Sequence, residues 1–487
     1  MILEADFKEQ THELQADFGE VAVIKVGTPK GGDCYALYMT LSQAVADINN
    51  GISDNAITDT SAAKVEVFKG DTGRTTVMLL DDVSESAEIK VNKDIDIVLG
   101  GKTLTFTTAV ACLNFTAGTK CTINGEATGS KIIKENIVST SSTILIRVDG
   151  DSLDVQGGEY RASGSVDNGI LIFRVGSTTK SVEICDCLMY AENTSTNTAS
   201  LTKAIQTQGE KVIVKNCEAV VIAKTTAVGA QVAMGLTVED SVFKVKTNGD
   251  TKNDRAYGID NYGNIVVKNS TVFSDAKDCH IEVPYAVGIA NRNKAELTNA
   301  NIHGTHSGVD TSGSIYVNGG IYTGFCHGGF YLGHGVDGIA YINDATIRCG
   351  FYEGDFDYTD KTSDIYGSMY IGGMSDMSVY LDGCTFISET NANSIILRGT
   401  SGEVNNTVNI SNSTLVDLQG IRIDNDTHTV NIGVGNNFTA SNTGRPNRAV
   451  LTYELYRKKH PDAVCDGKDF EALAAIVSVP VGDEVSY

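Results

Sequence analysis

The chain has no tryptophan, only five prolines, and 38 Lys and Arg against 61 Asp and Glu over 487 residues. Each scarcity excludes something. Few prolines and no tryptophan beside fifty glycines suit short strands joined by tight turns, not a helical enzyme. The net charge of -23 argues against nucleic acid as a partner, because phosphate-binding faces need clustered Lys and Arg. Acidity of this size keeps an elongated particle soluble. No window approaches the roughly 20 apolar residues that span a bilayer, so no membrane partner is expected. Met1–Glu20 offers neither a cationic stretch nor an apolar core, so Sec export is not indicated. Eleven cysteines, an odd number without paired spacings, fit poorly with a disulfide framework or a zinc site and point to a reducing compartment. No Ser-centred elbow, P-loop or dinucleotide fingerprint occurs.

What is present is repetition. Nine copies of one pattern run from Ile184 to Ser413, anchored at Ile184, Val214, Val238, Val267, Leu297, Val317, Ile342, Leu381 and Ile410. Two residues after each anchor stands Asn, Asp or Gly, as in Asp186, Asn216, Asp240 and Gly319. The next residue is always small, among them Cys187, Cys217, Ser241, Gly320, Cys384 and Ser413. Five residues after the anchor the chain is apolar again, from Met189 to Leu415. Weaker copies fit Leu99, Ile123 and Val155. The spacing averages about 28 residues, within the range of solenoid units. Alternation such as Val408-Asn409-Ile410 is a strand pattern, so each unit is read as several short strands. The Asn/Asp column is read as scaffold, stacking amides along the solenoid and satisfying turn backbone.

Before the repeats, Thr40 with Gln43 forms a capping box, Leu41, Ala44, Val45 and Ile48 recur at helical spacing, and Gly51 follows as a C-cap. Such a helix can cover an open solenoid end, whose strand edges otherwise invite pairing. Arg448–Lys459 and Asp469–Val477 read as two more helices. The expected organisation is an arm at 1–32, a capping helix at 33–64, a parallel β-helix at 65–442 and a C-terminal cap or oligomerisation segment at 443–487.

Strands in this register with a small residue buried at the turn, opened by Ile95-Asp96-Ile97-Val98-Leu99-Gly100-Gly101-Lys102-Thr103-Leu104, resemble right-handed parallel β-helix proteins of the pectate-lyase-like kind. The resemblance implies an all-β solenoid of about 12 rungs with an N-terminal capping helix and a small C-terminal helical cap. Glu4–Gln10 and Ala16–Val21 resemble the start of structural proteins from phages and prophages of Gram-positive bacteria. That likeness implies a tailspike- or fibre-like protein assembled in the bacterial cytoplasm. It implies a homotrimer joined to a tail or baseplate protein through residues 1–32, with cell-surface polysaccharide as its ligand. A polysaccharide lyase or glycoside hydrolase on the same fold is the alternative, and a non-catalytic structural or adhesin β-helix the second. A secreted or cell-surface protein exported by a non-Sec route is the other localisation.

One unit is oversized, with 39 residues from Ile342 to Leu381. Insertions in solenoids project from one face, often the binding face. This one carries Tyr352, Glu353, Asp355, Asp357 and Tyr358, aromatic rings for sugar faces and carboxylates for hydroxyls. The rival reading is a solvated acidic loop with its aromatics packed on the protein. Tyr331 and His334 in the preceding unit join the expected ligand-binding set. Glu353, Asp355 and Asp357 are the candidates for carboxylate catalysis, provided two lie at a suitable separation. Lyases of the resembled fold pair acidic ligands with a basic residue, for which Arg292 and Arg398 are available. His327 and His334 lack the further ligands that zinc requires, so no metal is expected there. No cofactor is expected either, calcium at Asp355, Asp357 and Asp360 being the one alternative.

Overall fold

The structure, a computed structural model, describes residues 36–439 apart from 71–72, 252, 277–284, 325–326, 334–337, 351–366, 374–375, 389–392, 400–405, 417–420, 424–428 and 434. The expected arm at 1–32, most of the oversized insertion and both C-terminal helices lie outside the described residues. The chain divides into two compact units, Met1–Gly249 and Asp250–Tyr487. Each is a parallel β-helix solenoid with three strands to a turn.

The anchor column is a hydrogen-bonded register. In the first unit Ile123, Val155, Ile184, Val214 and Val238 pair in succession across parallel strands. In the second the series runs Val267, Leu297, Val317, Ile342, Leu381, Ile410 and on to Ile432. The position five residues on forms a second register, Tyr160–Met189–Ala219–Phe243 in the first unit. Its counterpart in the second joins Val272, Ile302, Tyr322, Ile347, Phe386 and Leu415. A separate sheet supplies the third strand of each turn. Its inward side chains stack as Leu113–Ile146–Phe173–Ile205–Ala230 and as Ile259–Ile289–Val309–Phe330–Met369. Nearly all of these are fully buried, and burying one such large side chain contributes about 1.5–3 kcal/mol.

The Asn/Asp/Gly column has a backbone cause. Asp186, Asn216, Asp240, Asn269, Asn299, Asp344 and Asn412 have φ between 48° and 56°, while Gly319 and Gly383 have 72° and 65°. A single left-handed residue turns the chain from one strand into the next, and Asn, Asp and Gly tolerate it best. Amide stacking accompanies the turn. Asn216 Nδ2 donates to Asp186 Oδ1, and Asn299 Nδ2 donates to Asn269 Oδ1 at 3.5 Å.

The small column does more than save space. The backbone N–H of Cys187 donates to Cys217 Sγ at 3.4 Å, and that of Cys217 to Ser241 Oγ at 3.0 Å. Cys384 N–H reaches Ser413 Oγ at 3.1 Å, and Ser413 N–H reaches Asn436 Oδ1 at 2.9 Å. The same groups donate backwards, Ser241 Oγ to Glu239 O at 2.7 Å and Cys217 Sγ to Lys215 O at 3.1 Å. Ser and Cys therefore satisfy a buried N–H of the preceding turn. Ser241→Ala is expected to strand the Cys217 N–H and lower stability by about 1–3 kcal/mol. Denaturant unfolding checks this, and an unchanged midpoint would dismiss the role.

Of the three weak copies, Ile123 and Val155 keep the register and Leu99 does not. Ile97, not Leu99, pairs with Ile123, because Gly100 and Gly101 both take positive φ, 59° and 77°, and lengthen that turn. Gly157 keeps the left-handed place with φ 68°.

The one helix among the described residues is Leu41–Asn50, with Thr40 Oγ1 accepting from the Gln43 N–H at 3.3 Å and Gly51 closing it at φ 67°. It buries Leu41, Ala44 and Val45. Glu85 accepts from the Ser42 N–H at 2.9 Å, and Asn49 Nδ2 donates to Lys90 O at 2.7 Å, docking the helix on the first strands. Beside it Ala36–Tyr38, Val65–Lys69 and Thr75–Leu79 pair antiparallel, and parallel pairing begins only between Thr75–Leu79 and Ile95–Val98. Further along, Lys134 is fully buried, its Nζ donating to Ala109 O, Thr143 Oγ1 and Ile144 O at 3.3, 3.0 and 2.6 Å.

Candidate functional site

In the second unit, strands Arg255–Asn261, Tyr285–Asn291, Ser307–Thr311, Phe330–Leu332 and Gly367–Gly373 lie side by side in parallel. Alternation sets their faces. Ile259, Ile289, Val309, Phe330 and Met369 point inward, so the next residue of each strand points out. Those residues are Asp260, Ala290, Asp310, Tyr331 and Tyr370, in register with one another. On the other side of the inward column stand Gly258, Gly288, Gly308 and Gly329. A Cβ on Gly288 would meet Gly308 O at 2.5 Å, so glycine lets the backbone pass close there.

Aromatic side chains from these strands and their flanks form a continuous line. The Tyr285 ring lies 4.2 Å from His306, His306 4.2 Å from His327, and His327 4.7 Å from Tyr331. Tyr331 stacks on Tyr370 at 4.9 Å. Tyr257 extends the line, its ring 6.1 Å from Tyr285. Polar groups fringe it. Tyr285 Oη donates to the Asp310 carboxylate, and Arg255 Nη1 donates to Tyr257 Oη at 2.9 Å. Arg292 reaches Asp260 at 3.5 Å and lies over the Tyr262 ring at 4.9 Å.

Tyr285, His306, Asp310, His327 and Tyr331 are half-buried, presenting an edge to solvent, whereas Tyr370 is buried. Burial, and then the neighbouring Asp310 charge, push the Tyr285 phenol well above its ordinary range, so it stays a donor. Burial holds His306 well below the usual imidazole range, helped by His327, so its ring is neutral at pH 7. The line thus offers phenol, imidazole and carboxylate groups on a rigid apolar support. No family model, curated protein or solved structure matches the chain. Among the described residues, no group of three or more His, Cys, Asp or Glu gathers to hold a metal, and no helix is long and apolar enough to cross a membrane.

A second aromatic ladder serves differently. Tyr316, Tyr341 and Tyr380 stack nearly parallel at 5.7 and 4.7 Å and are all partly exposed. Their ring faces are turned on one another, and Lys294 covers the face of Tyr316 at 5.3 Å. Both faces of Tyr341 are thereby spent.

Of the residues expected from sequence, Tyr331 stands in the aromatic line, and Arg292 flanks it. His334, Tyr352, Glu353, Asp355, Asp357 and Tyr358 lie outside the described residues, as does Asp360. The backbone of Arg398 lies in Asn393–Gly399, paired with Gly372. Tyr257, Asp260, Tyr285, His306 and Asp310 were not foreseen. For Asp260 and Asp310 the signal is a second short repeat, glycine, apolar, variable, in Gly258-Ile259-Asp260, Gly288-Ile289-Ala290, Gly308-Val309-Asp310 and Gly329-Phe330-Tyr331. The variable place is where function can be written.

Proposed function

We propose that the Tyr285–His306–His327–Tyr331–Tyr370 line, with Asp310, binds cell-surface carbohydrate. The observation that carries this reading is the line itself, five rings in succession on neighbouring strands and their flanks with a carboxylate at their fringe. Rings locked by packing lose little entropy on binding, and their polar edges meet hydroxyls while their bodies exclude water. The parallel strand spacing, about 4.8 Å, repeats these groups along one direction, which suits an extended polymer. The wider proposal is a right-handed, pectate-lyase-like β-helix of a phage or prophage tail, trimeric, and attached through residues 1–32. Calcium at Asp355, Asp357 and Asp360 belongs to the same proposal.

Tyr331→Ala and Asp310→Ala are each expected to weaken binding to capsular or wall polysaccharide at least tenfold, or about 1.4 kcal/mol. Tyr341→Ala, on the ladder whose faces are spent, should leave affinity unchanged. Glycan arrays followed by calorimetry measure this, and equal binding by all three variants would end the reading. Light scattering at micromolar concentration should report a trimer, and a monomer would count against the tail assignment.

Hydrolysis is the second reading, favoured by Asp260 and Asp310 sharing one outward column two strands apart. Two strand spacings are about 10 Å, near the carboxylate separation of inverting glycosidases. New reducing ends from wild type but not from Asp310→Asn would establish it.

A further inference from the structure

Tyr316, Tyr341 and Tyr380 form a stacked column whose members are 39%, 37% and 38% exposed. Asn409 continues the column in register, and Asn431 Nδ2 donates to Asn409 Oδ1 at 2.8 Å. Ile339, Ser378 and Thr407 lie on one side of it, Asn343, Asp382 and Ser411 on the other. Asp382 is the one charged side chain among these. It lies beside the turn, accepting from Ser411 Oγ at 2.8 Å and from Asn412 Nδ2 at 2.7 Å. The corresponding positions of the first unit hold the opposite kind of residue, with Asp154, Glu183, Lys211, Lys215 and Glu239 among them.

We propose that this charge-poor face of the second unit is where copies of the chain meet, each turning it toward a common axis. Chains of net charge -23 repel one another, so they approach most closely where neither presents charge. Interface cores are enriched in tyrosine and depleted of charged residues, which is how these turns differ from those of the first unit. Phenol, hydroxyl and amide groups both donate and accept, so the face can satisfy a second copy of itself. Packed ring on ring, the tyrosines lose little freedom when a neighbour covers their edges. A basic partner would instead be drawn to acidic positions such as Asp154 and Glu183. The inference rests on the trimeric reading above and gives that trimer its contact.

The test is light scattering of the full chain at micromolar concentration, for wild type, Ser378→Glu, Tyr380→Glu and Thr237→Glu. Thr237→Glu is the control, adding the same charge at an equivalent strand position of the first unit. Wild type and Thr237→Glu should report a trimer. Ser378→Glu and Tyr380→Glu should each fall to the mass of one chain, with circular dichroism showing that the strands persist. If removal of the Tyr380 ring unfolds the chain, Ser378→Glu, which leaves the stacked column intact, decides. A trimer that survives in folded Ser378→Glu and Tyr380→Glu overturns this location while the trimeric reading stands. A monomeric wild type ends both.

Discussion

Gly320→Ala is expected to destabilise the second unit by about 3 kcal/mol or more. Alanine looks harmless there, because Ala300 and Ala345 occupy the same column in neighbouring turns. The backbone says otherwise. Gly320 has φ 96°, and a Cβ would lie 2.2 Å from Ala300 O and 2.8 Å from Ala300 N. Those atoms belong to the preceding turn's main chain, hydrogen-bonded in place, and cannot rotate away. Ala345→Gly is the comparator, with an expected cost of about 0.5–1 kcal/mol. Denaturant midpoints separate the two, and a Gly320→Ala protein as stable as wild type would refute the account of this turn.

Alkaline titration is expected to produce the other large effect. Cys112, Cys121 and Cys384 are buried, and burial pushes each thiol from 9.0 up to about 11. Between these values the unfolded chain has released three protons that the folded chain retains, so rising pH favours unfolding. Each thiol supplies on the order of 3 kcal/mol below pH 9 that is gone above pH 11. Lys134 opposes this. Burial lowers its ammonium from 10.5 to about 8, a penalty present in full below pH 8 and relieved as pH rises to 10.5. The thiols outweigh the single amine, and burial of Cys185 and Cys187 acts in the same direction, so stability falls from pH 9 to 11. Guanidinium unfolding under reducing conditions at pH 7.5, 9, 10 and 11 measures it. Cys121→Ala should flatten the slope, and a midpoint that does not move with pH would contradict the burial argument.

The repeat was legible in the sequence because its constraint is local. A left-handed turn accepts Asn, Asp or Gly, and the positions on either side must be inward and apolar, so Ile184, Asp186 and Met189 declare their places without tertiary information. The helix at Leu41–Asn50 was legible for the same reason, through Thr40 and Gly51. The register at Leu99 was not, since two left-handed glycines displace it by two residues. The antiparallel pairing of Ala36–Tyr38 with Val65–Lys69 leaves no periodic mark at all. For the candidate site, Tyr331 was singled out by composition alone. Its partners were missed because His306 and His327 meet only once the turns are stacked, and because Asp260 and Asp310 sit in a column that the nine-copy motif does not contain.

Four buried small-column N–H groups take a side-chain acceptor from the following turn: Cys217 for Cys187, Ser241 for Cys217, Ser413 for Cys384 and Asn436 for Ser413. The solenoid therefore has a direction written into its bonding. In a chain leaving the ribosome, the Cys187, Cys217, Cys384 and Ser413 donors each wait for the turn that follows. Trimming from the C-terminal side strips these side-chain acceptors from what remains, whereas trimming from the N-terminal side removes such donors along with their own turn and leaves the surviving small-column N–H groups with theirs.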